Sequence, residues 1–187
     1  MLELNLPINN KESFNNFSME EIGPIAKINL RGKVNNKDFT SKVGKILGII
    51  LPVEVGSISV KDEISIISMG PNEWLIILND TIKESNNDYD LESVLFKAIS
   101  KTNLGAITNV SDQFTIFSFK GTNICEILSK SSPFDFDTLP NNYSAQTLLN
   151  NTDVTIVKKN NESINLLVRR SFSEHLWDWI KDSANLN

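Results

Sequence analysis

Few residues of this 187-residue sequence have the types and spacing that chemistry requires. His175 is the single histidine and Cys125 the single cysteine, which is too few for the three or four nitrogen and sulfur ligands that zinc prefers. On a predicted helix, the neighbours Ile124, Ile127 and Leu128 give Cys125 an apolar setting, whereas a reactive cysteine needs an electropositive one. We therefore predict a core position for Cys125, and a partly buried structural role for His175 at the edge of a helical stripe.

Three polar residues remain as candidates for binding. Asp112, between two predicted strands, is a weak candidate for a cofactor contact, because an aspartate in a turn more commonly bonds its own backbone. Arg169 and Arg170 end a predicted strand just before a helix, where they can clamp an anion, lie solvated, or pack on Trp177. Because arginine and tryptophan dominate protein interfaces, we predict that Arg169, Arg170 and Trp177 contact a partner.

Composition excludes several classes of function. The formal net charge of -5 and the pI near 5.0 argue against nucleic-acid binding, which needs a basic surface. No apolar run approaches the ~20 residues that a membrane span requires, and the first residues are neither basic nor apolar enough for a signal peptide. A single cysteine excludes an internal disulfide and fits a reducing, cytoplasmic compartment. No glycine-rich phosphate-binding motif is present.

Hydrophobic spacing predicts two halves with one element order. Leu30-Arg31-Gly32 ends a strand and precedes a helix, and Phe119-Lys120-Gly121 does the same later in the chain. Each half then follows the order β-α-β-β-(β)-α of the split βαβ, or ferredoxin-like, type. We predict an α+β fold with halves at about 25–102 and 103–187 within one domain, residues 25–187. The alternative is a single irregular α/β sandwich.

Two helices and the N-terminal segment complete the prediction. The first helix should run from Asn36 to Leu47 and bury a face that includes Ile50. The last should begin with a capping box of Ser171 and Glu174, and its buried stripe should pass from Phe172 to Ile180 without Trp177. Residues 1–24 lack a clear period, which is typical of a flexible arm. Alternatively, the arm orders on a partner through anchors such as Phe14 or Phe17.

Six blocks, taken together, resemble the gamma subunit of heterotetrameric sarcosine oxidase, from about Ile25 onward. They are Ile28-Asn-Leu-Arg-Gly32, Val43-Gly-Lys-Ile-Leu-Gly48 with Leu51-Pro52, Gly70-Pro-Asn-Glu-Trp-Leu75, Asn109-Val-Ser-Asp112, Ala145-Gln-Thr-Leu-Leu149, and Leu167-Val-Arg-Arg-Ser-Phe172 with Leu176-Trp-Asp-Trp179. The resemblance implies a fold similar to the folate-binding region of glycine-cleavage aminomethyltransferases.

The resemblance also implies a function. The family's complex oxidatively demethylates sarcosine to glycine, giving hydrogen peroxide and formaldehyde or methylene-tetrahydrofolate. This chain is expected to be a non-catalytic subunit that acts in assembly and stability beside alpha, beta and delta partners. FAD, FMN, NAD, tetrahydrofolate and zinc are expected on those partners and none on this chain. The alternative is a stand-alone tetrahydrofolate-binding or aminomethyltransferase-like protein, in which Asp112 would face the pterin.

Overall fold

The computed structural model describes residues 5–81 and 88–186, which contain two antiparallel sheets. The chain divides into two compact units, here called the middle unit (Pro24–Ser111) and the terminal unit (Met1–Gly23 with Asp112–Asn187). The helices are α1 (Lys37–Leu47), α2 (Asp88–Leu95), α3 (Ile124–Ser129) and α4 (Ser173–Asn185). The strands are β1 (Lys11–Phe14), β2 (Phe17–Ile22), β3 (Ile25–Gly32), β4 (Ile58–Lys61), β5 (Ile64–Gly70), β6 (Glu73–Thr81), β7 (Gly105–Asn109), β8 (Phe114–Gly121), β9 (Tyr143–Leu149), β10 (Thr152–Asn160) and β11 (Ser163–Arg169).

The two sheets confirm the predicted α+β class and show the predicted repeat. The middle unit has the strand order β4-β5-β6-β3-β7, and the terminal unit has β1-β2-β8-β11-β10-β9. β4-β5-β6-β3 therefore corresponds to β9-β10-β11-β8, with α1 and α3 after the first strand of each repeat and α2 and α4 at the end. The division of the chain differs from the predicted boundary near residue 102, because β7 pairs with β3 of the middle unit.

Helix α1 begins and ends where the sequence predicts. The Asn36 side chain accepts hydrogen bonds from the backbone N–H groups of Asp38 and Phe39, at 3.0 and 3.3 Å, as an N-cap residue does. Gly48 ends the helix with a φ of 65°, a left-handed conformation that favours glycine. Ile50 differs from the prediction: it follows the helix end and is 87% exposed, because the left-handed turn takes the chain off the helical period.

Strand β6 lies at the centre of the middle unit. Four consecutive residues, Trp74 to Ile77, are buried, which confirms that this apolar run is a strand covered on both faces. Trp74 packs against Phe39 with ring centroids 5.7 Å apart, and its indole N–H donates a 2.7 Å hydrogen bond to the carbonyl of Pro52. The indole therefore fixes the loop that follows α1.

The predicted N-terminal arm is different in the structure, since β1 and β2 extend the terminal unit's sheet beyond β8. Phe17 and Met19 are 3% and 0% exposed. Glu21 fixes the approach to β1, because its Oε2 accepts the N–H groups of Ile8 and Asn9 at 2.8 and 2.6 Å. The pairing joins residues about 100 positions apart, so no local period could reveal it. Residues 1–4 of the predicted arm lie outside the described residues.

Helix α4 also differs from its prediction. It begins at Ser173 after a 3-10 turn, Arg170–Phe172, and no side chain caps it, so the predicted capping box is wrong. Its buried residues include Ser173, Leu176, Trp177 and Ile180, whereas Phe172 is 46% exposed. The predicted stripe therefore begins one position too early.

Within the described ranges, no helix has both the length and the apolar composition needed to cross a bilayer.

Candidate functional site

An open groove in the middle unit brings together two of the sequence blocks singled out above. Arg31 and Gly32 end β3, and the turn Gly70–Glu73 joins β5 to β6. Together with residues 103–106, they line a cavity of about 880 Å³. A backbone hydrogen bond joins the strand end to the turn, because the N–H of Gly32 donates to the carbonyl of Asn72 at 3.1 Å.

Glu73 is the central charged residue of this groove. Its Oε1 accepts hydrogen bonds from Arg31 Nη2 at 2.8 Å and from Asn29 Nδ2 at 2.7 Å. Burial alone would raise the pKa of Glu73, but the hydrogen bonds and the charge of Arg31 outweigh it and hold the pKa below its ordinary value. The carboxylate is therefore ionised at neutral pH, and its Oε1 positions both neighbours.

The ionisable side chains that line the groove are Arg31, Lys33 and Glu73, and the lining includes no histidine, cysteine, serine or tyrosine. Arg31 donates a hydrogen bond to Glu73. Asn72 binds the backbone, since its Oδ1 accepts the Val34 N–H at 3.0 Å. These contacts shape the turn and the strand ends.

The other candidates for chemistry are separate from this groove. Asp112 lies in the exposed turn 111–113, and its role as a ligand contact stays a prediction. His175 is exposed, with Nε2 3.0 Å from Asn150 Nδ2, so the predicted partly buried position is wrong. Among the described residues, no group of three or more histidine, cysteine, aspartate or glutamate side chains could hold a metal ion.

Cys125 packs against the core of the terminal unit, although it is only half-buried. Burial raises the pKa of its thiol, and the negative charge and hydrogen bond of Asp137 raise it further, against an opposing effect of Lys158. A protonated thiol is a poor nucleophile. The thiol therefore lies at the margin of the core, and the predicted core position is only partly confirmed.

Three residues at the end of β11 and on α4 are candidates for partner contact, and they differ in exposure. Arg169 and Arg170 are exposed, and Arg170 Nη2 donates a hydrogen bond to the carbonyl of Asn5. Trp177 is 3% exposed and packs edge-on against Phe117, with ring centroids 5.2 Å apart. The prediction that Trp177 contacts a partner is therefore wrong, because the ring lies inside the core. A partner contact for the two arginines stays a prediction.

Of the two phenylalanines predicted as anchors, Phe17 is buried and Phe14 is half-buried. Phe17 is buried in the core of the terminal unit and contacts Phe119, with ring centroids 5.7 Å apart, so it is not available to a partner. Phe14 is half-buried and stacks on Phe17 at 5.8 Å. Its role as an anchor stays a prediction, although its first contact is within this chain.

Sequence reasoning missed an apolar surface on the middle unit. Ile50, Val53 and Val55 are 87%, 66% and 50% exposed, on the loop that joins α1 to β4. The available signal was the run from Ile49 to Val55, which is largely apolar but has the period of neither a helix nor a strand. Within this run Ile49, Leu51 and Pro52 are buried, whereas Ile50, Val53 and Val55 are exposed.

Comparison with solved structures first establishes the class of fold. A chain of the heterotetrameric sarcosine oxidase from Corynebacterium sp. U-96, in complex with pyrrole 2-carboxylate, matches with a TM-score of 0.80 at 22% identity, over 96% of this chain and 89% of that one. Glycine cleavage system aminomethyltransferase T from Bartonella henselae matches with a TM-score of 0.59 at 11% identity, over 87% of this chain and 44% of the transferase. At these identities the matches show the fold alone: a two-sheet α+β fold shared with an aminomethyltransferase.

The family follows from the sequence comparison. The model of the sarcosine oxidase, gamma subunit family matches residues 31–185, which is most of the chain. The chain therefore belongs to the sarcosine oxidase gamma subunit family. Comparison with curated proteins gives no significant match.

Proposed function

We propose that this chain acts as the gamma subunit within a heterotetrameric sarcosine oxidase and contributes assembly and stability to the complex, not chemistry. The observation that carries the proposal is the family match over residues 31–185. The fold similarity to a chain of a heterotetrameric sarcosine oxidase supports it.

The non-catalytic part of the proposal is supported by how the polar side chains are used. Arg31 and Asn29 both donate hydrogen bonds to Glu73, and the buried Lys158 donates to the carbonyl of Phe136 at 2.9 Å. The raised pKa of Cys125 favours the unreactive thiol. These groups stabilise turns and loops, which is the contribution expected of a structural subunit.

The proposal assigns the chemistry to other chains. The partners are alpha, beta and delta subunits, which would carry FAD, FMN, NAD, tetrahydrofolate and zinc. Their reaction would be the oxidative demethylation of sarcosine to glycine, with hydrogen peroxide and formaldehyde or methylene-tetrahydrofolate as products. We place the complex in the cytoplasm, a proposal that the low cysteine content supports.

The alternative function, a stand-alone tetrahydrofolate-binding protein, has one specific observation in its favour, the fold shared with an aminomethyltransferase. Fold alone does not establish a ligand. Calorimetric titration of the purified chain with tetrahydrofolate distinguishes the two functions. We expect no heat of binding and no rise in melting temperature, whereas a saturable signal that Asp112→Asn abolishes would establish the alternative.

The direct test is purification of the tagged chain from its native cytosol, followed by an absorbance scan of the eluate. We expect three partner chains and the absorbance bands of a flavin. A single colourless chain would refute the proposed function, provided that the tag is moved to the other terminus as a control.

A further inference from the structure

The loop between α1 and β4 exposes three aliphatic side chains within six residues. We call Ile50, Val53 and Val55 the 50–55 patch; the three side chains are 87%, 66% and 50% exposed. Single exposed aliphatic residues are ordinary, but clustered ones mark interaction surfaces. This cluster lies apart from the groove around Glu73 and is not used by anything described above.

A depression adjoins the patch at the C-terminal end of α1. Gly44 and Gly48, together with Ile49, Leu51 and Val34, line a cavity of about 610 Å³ that also borders on Ile50 and Val53. Its walls are mainly aliphatic. A side chain of a partner could therefore enter between the helix end and the loop.

The loop is held rigidly, although its outer side chains are exposed. Leu51 and Pro52 are buried, and the Pro52 carbonyl accepts the 2.7 Å bond from Trp74 Nε1. On the other side, Lys61 Nζ donates to the carbonyl of Gly48 at 3.0 Å. A pre-organised surface loses little conformational entropy on binding. The rigid loop is therefore suited to docking.

The surroundings of the patch have the opposite charge to the chain as a whole. Helix α1, the loop that follows it and β4, residues 37–61, contain four lysines and two carboxylates, a net charge of +2, whereas the whole chain has -5. All six of these side chains are exposed, and Lys45 lines the depression itself. This border is complementary to an acidic partner. A symmetric contact with a second copy would instead place two basic borders against each other.

We infer that the 50–55 patch and its lysine border are the docking surface for an acidic segment of another oxidase subunit, which inserts an aliphatic or aromatic side chain beside Gly44 and Gly48. This inference rests on the proposed role as a subunit. The aliphatic contacts supply affinity, and the lysines supply orientation and rate of association.

The first test compares two double variants in the native purification. I50E/V53E places carboxylates in the patch, and L148E/L186E does the same at two exposed apolar positions of the terminal unit, which are 43% and 81% exposed. Both variants are first required to melt within a few degrees of the unaltered chain. We expect I50E/V53E to reduce the recovered flavin subunits by at least about 10-fold, since central interface contacts dominate affinity, and L148E/L186E to leave recovery unchanged.

The outcomes separate this inference from the proposed function. If the unaltered chain recovers no flavin subunit, the proposed function fails and the inference fails with it. If the unaltered chain and I50E/V53E recover the subunits equally, the docking surface is elsewhere and only the inference is overturned. An equal loss in both double variants would also overturn it, because the effect would not be specific to the patch.

A second measurement identifies the occupant. Benzoylphenylalanine in place of Val53 is photo-crosslinked within the purified complex, and the attached peptide is identified by mass spectrometry. We expect an acidic peptide of another subunit. Attachment to a second copy of this chain, to a basic peptide or to nothing at all would contradict the inference.

Discussion

At the scale of single residues, Glu73 links the strand end of β3 to the turn between β5 and β6. Its pKa is lowered by Arg31 and Asn29 despite the opposing effect of burial. A carboxyl group whose pKa is lower in the folded state contributes stability above its unfolded pKa, and the contribution disappears as the pH falls through the folded value. The bond to Arg31 should therefore matter at neutral pH and not in acid.

The substitution Arg31→Met tests whether the bond to Glu73 stabilises the fold at neutral pH and not in acid. The substitution keeps an aliphatic side chain but removes the guanidinium, which is 63% exposed in its ion pair. We expect a loss of about 0.2–1 kcal/mol in the free energy of unfolding at pH 7, the range of exposed ion pairs. The difference should shrink towards zero as the pH falls through the lowered pKa of Glu73 in the folded chain.

Urea unfolding at several pH values measures the loss of unfolding free energy at pH 7 and the decrease of that loss in acid. Lys33→Met, which removes another exposed charge from the same groove, is the matched control and should show no comparable dependence on pH. A loss in Arg31→Met that grows in acid would contradict the expected sign.

At the scale of elements, the N-terminal strands are part of the terminal unit's core. Phe17 is 3% exposed on β2, whereas Phe14 on β1 is half-buried. We expect Phe17→Ala to lower the free energy of unfolding by about 3–5 kcal/mol, as other buried phenylalanines do. Phe14→Ala, the control on the same segment, should cost about 1 kcal/mol, near the middle of ordinary substitutions.

Denaturation monitored by circular dichroism distinguishes this structure from the free arm that the sequence suggests. If residues 11–22 were a free arm, neither substitution would change the melting temperature. Equal and negligible effects of the two alanines would therefore contradict the pairing of β2 with β8.

Each repeat begins with a strand that ends in glycine, and the second of these glycines has little space around it. Gly121 has a φ of 136°, and a Cβ atom there would lie 2.0 Å from the carbonyl oxygen of Asn16. Gly121→Ala should cost more than about 3 kcal/mol, because backbone strain and overpacking add. Gly70→Ala is the control, since its nearest neighbour to an added Cβ is Glu73 at 4.0 Å.

Thermal melting of Gly121→Ala and Gly70→Ala measures how much each substitution destabilises the fold. We expect Gly70→Ala to melt near the unaltered chain and Gly121→Ala to be unfolded or strongly destabilised. A stable Gly121→Ala would mean that β2 does not approach the end of β8 so closely.

Local pattern is sufficient to predict the elements whose residues pack on near neighbours in sequence. Helix α1, with Asn36 and Gly48 at its ends, and the buried run of β6 follow from spacing and caps alone. The repeat is visible because Gly32 and Gly121 each follow a strand and precede a helix. The strand β2 is not visible, because its partner β8 is about 100 residues away, and β1 joins the sheet only through β2.

The candidate sites are harder to predict, because composition does not show which side of an element is covered. Trp177 and Phe17 are residue types common at interfaces, but the core of the terminal unit contains both. The helical period assigns Ile50 to the buried face of α1, and the left-handed turn at Gly48 instead leaves it exposed. A one-residue error in period is enough to reverse such an assignment.

At the scale of the whole molecule, the two repeats are completed in different ways. β7 adds to β3 in the middle unit, and β2 with β1 adds to β8 in the terminal unit. The ion pair of the groove, between Arg31 and Glu73, is internal to this chain. The proposed contribution of this chain is to hold other subunits together.

Omission of this chain from a reconstituted complex tests that claim most directly. The other three subunits would be co-expressed with and without it, and the purified product examined by native mass spectrometry, flavin absorbance and oxidation of sarcosine. We predict that a stable, flavin-bearing and active assembly forms only when this chain is present, with one copy of it in the complex. Three partners that assemble fully, and oxidise sarcosine at the same rate and stability without it, would contradict the claim.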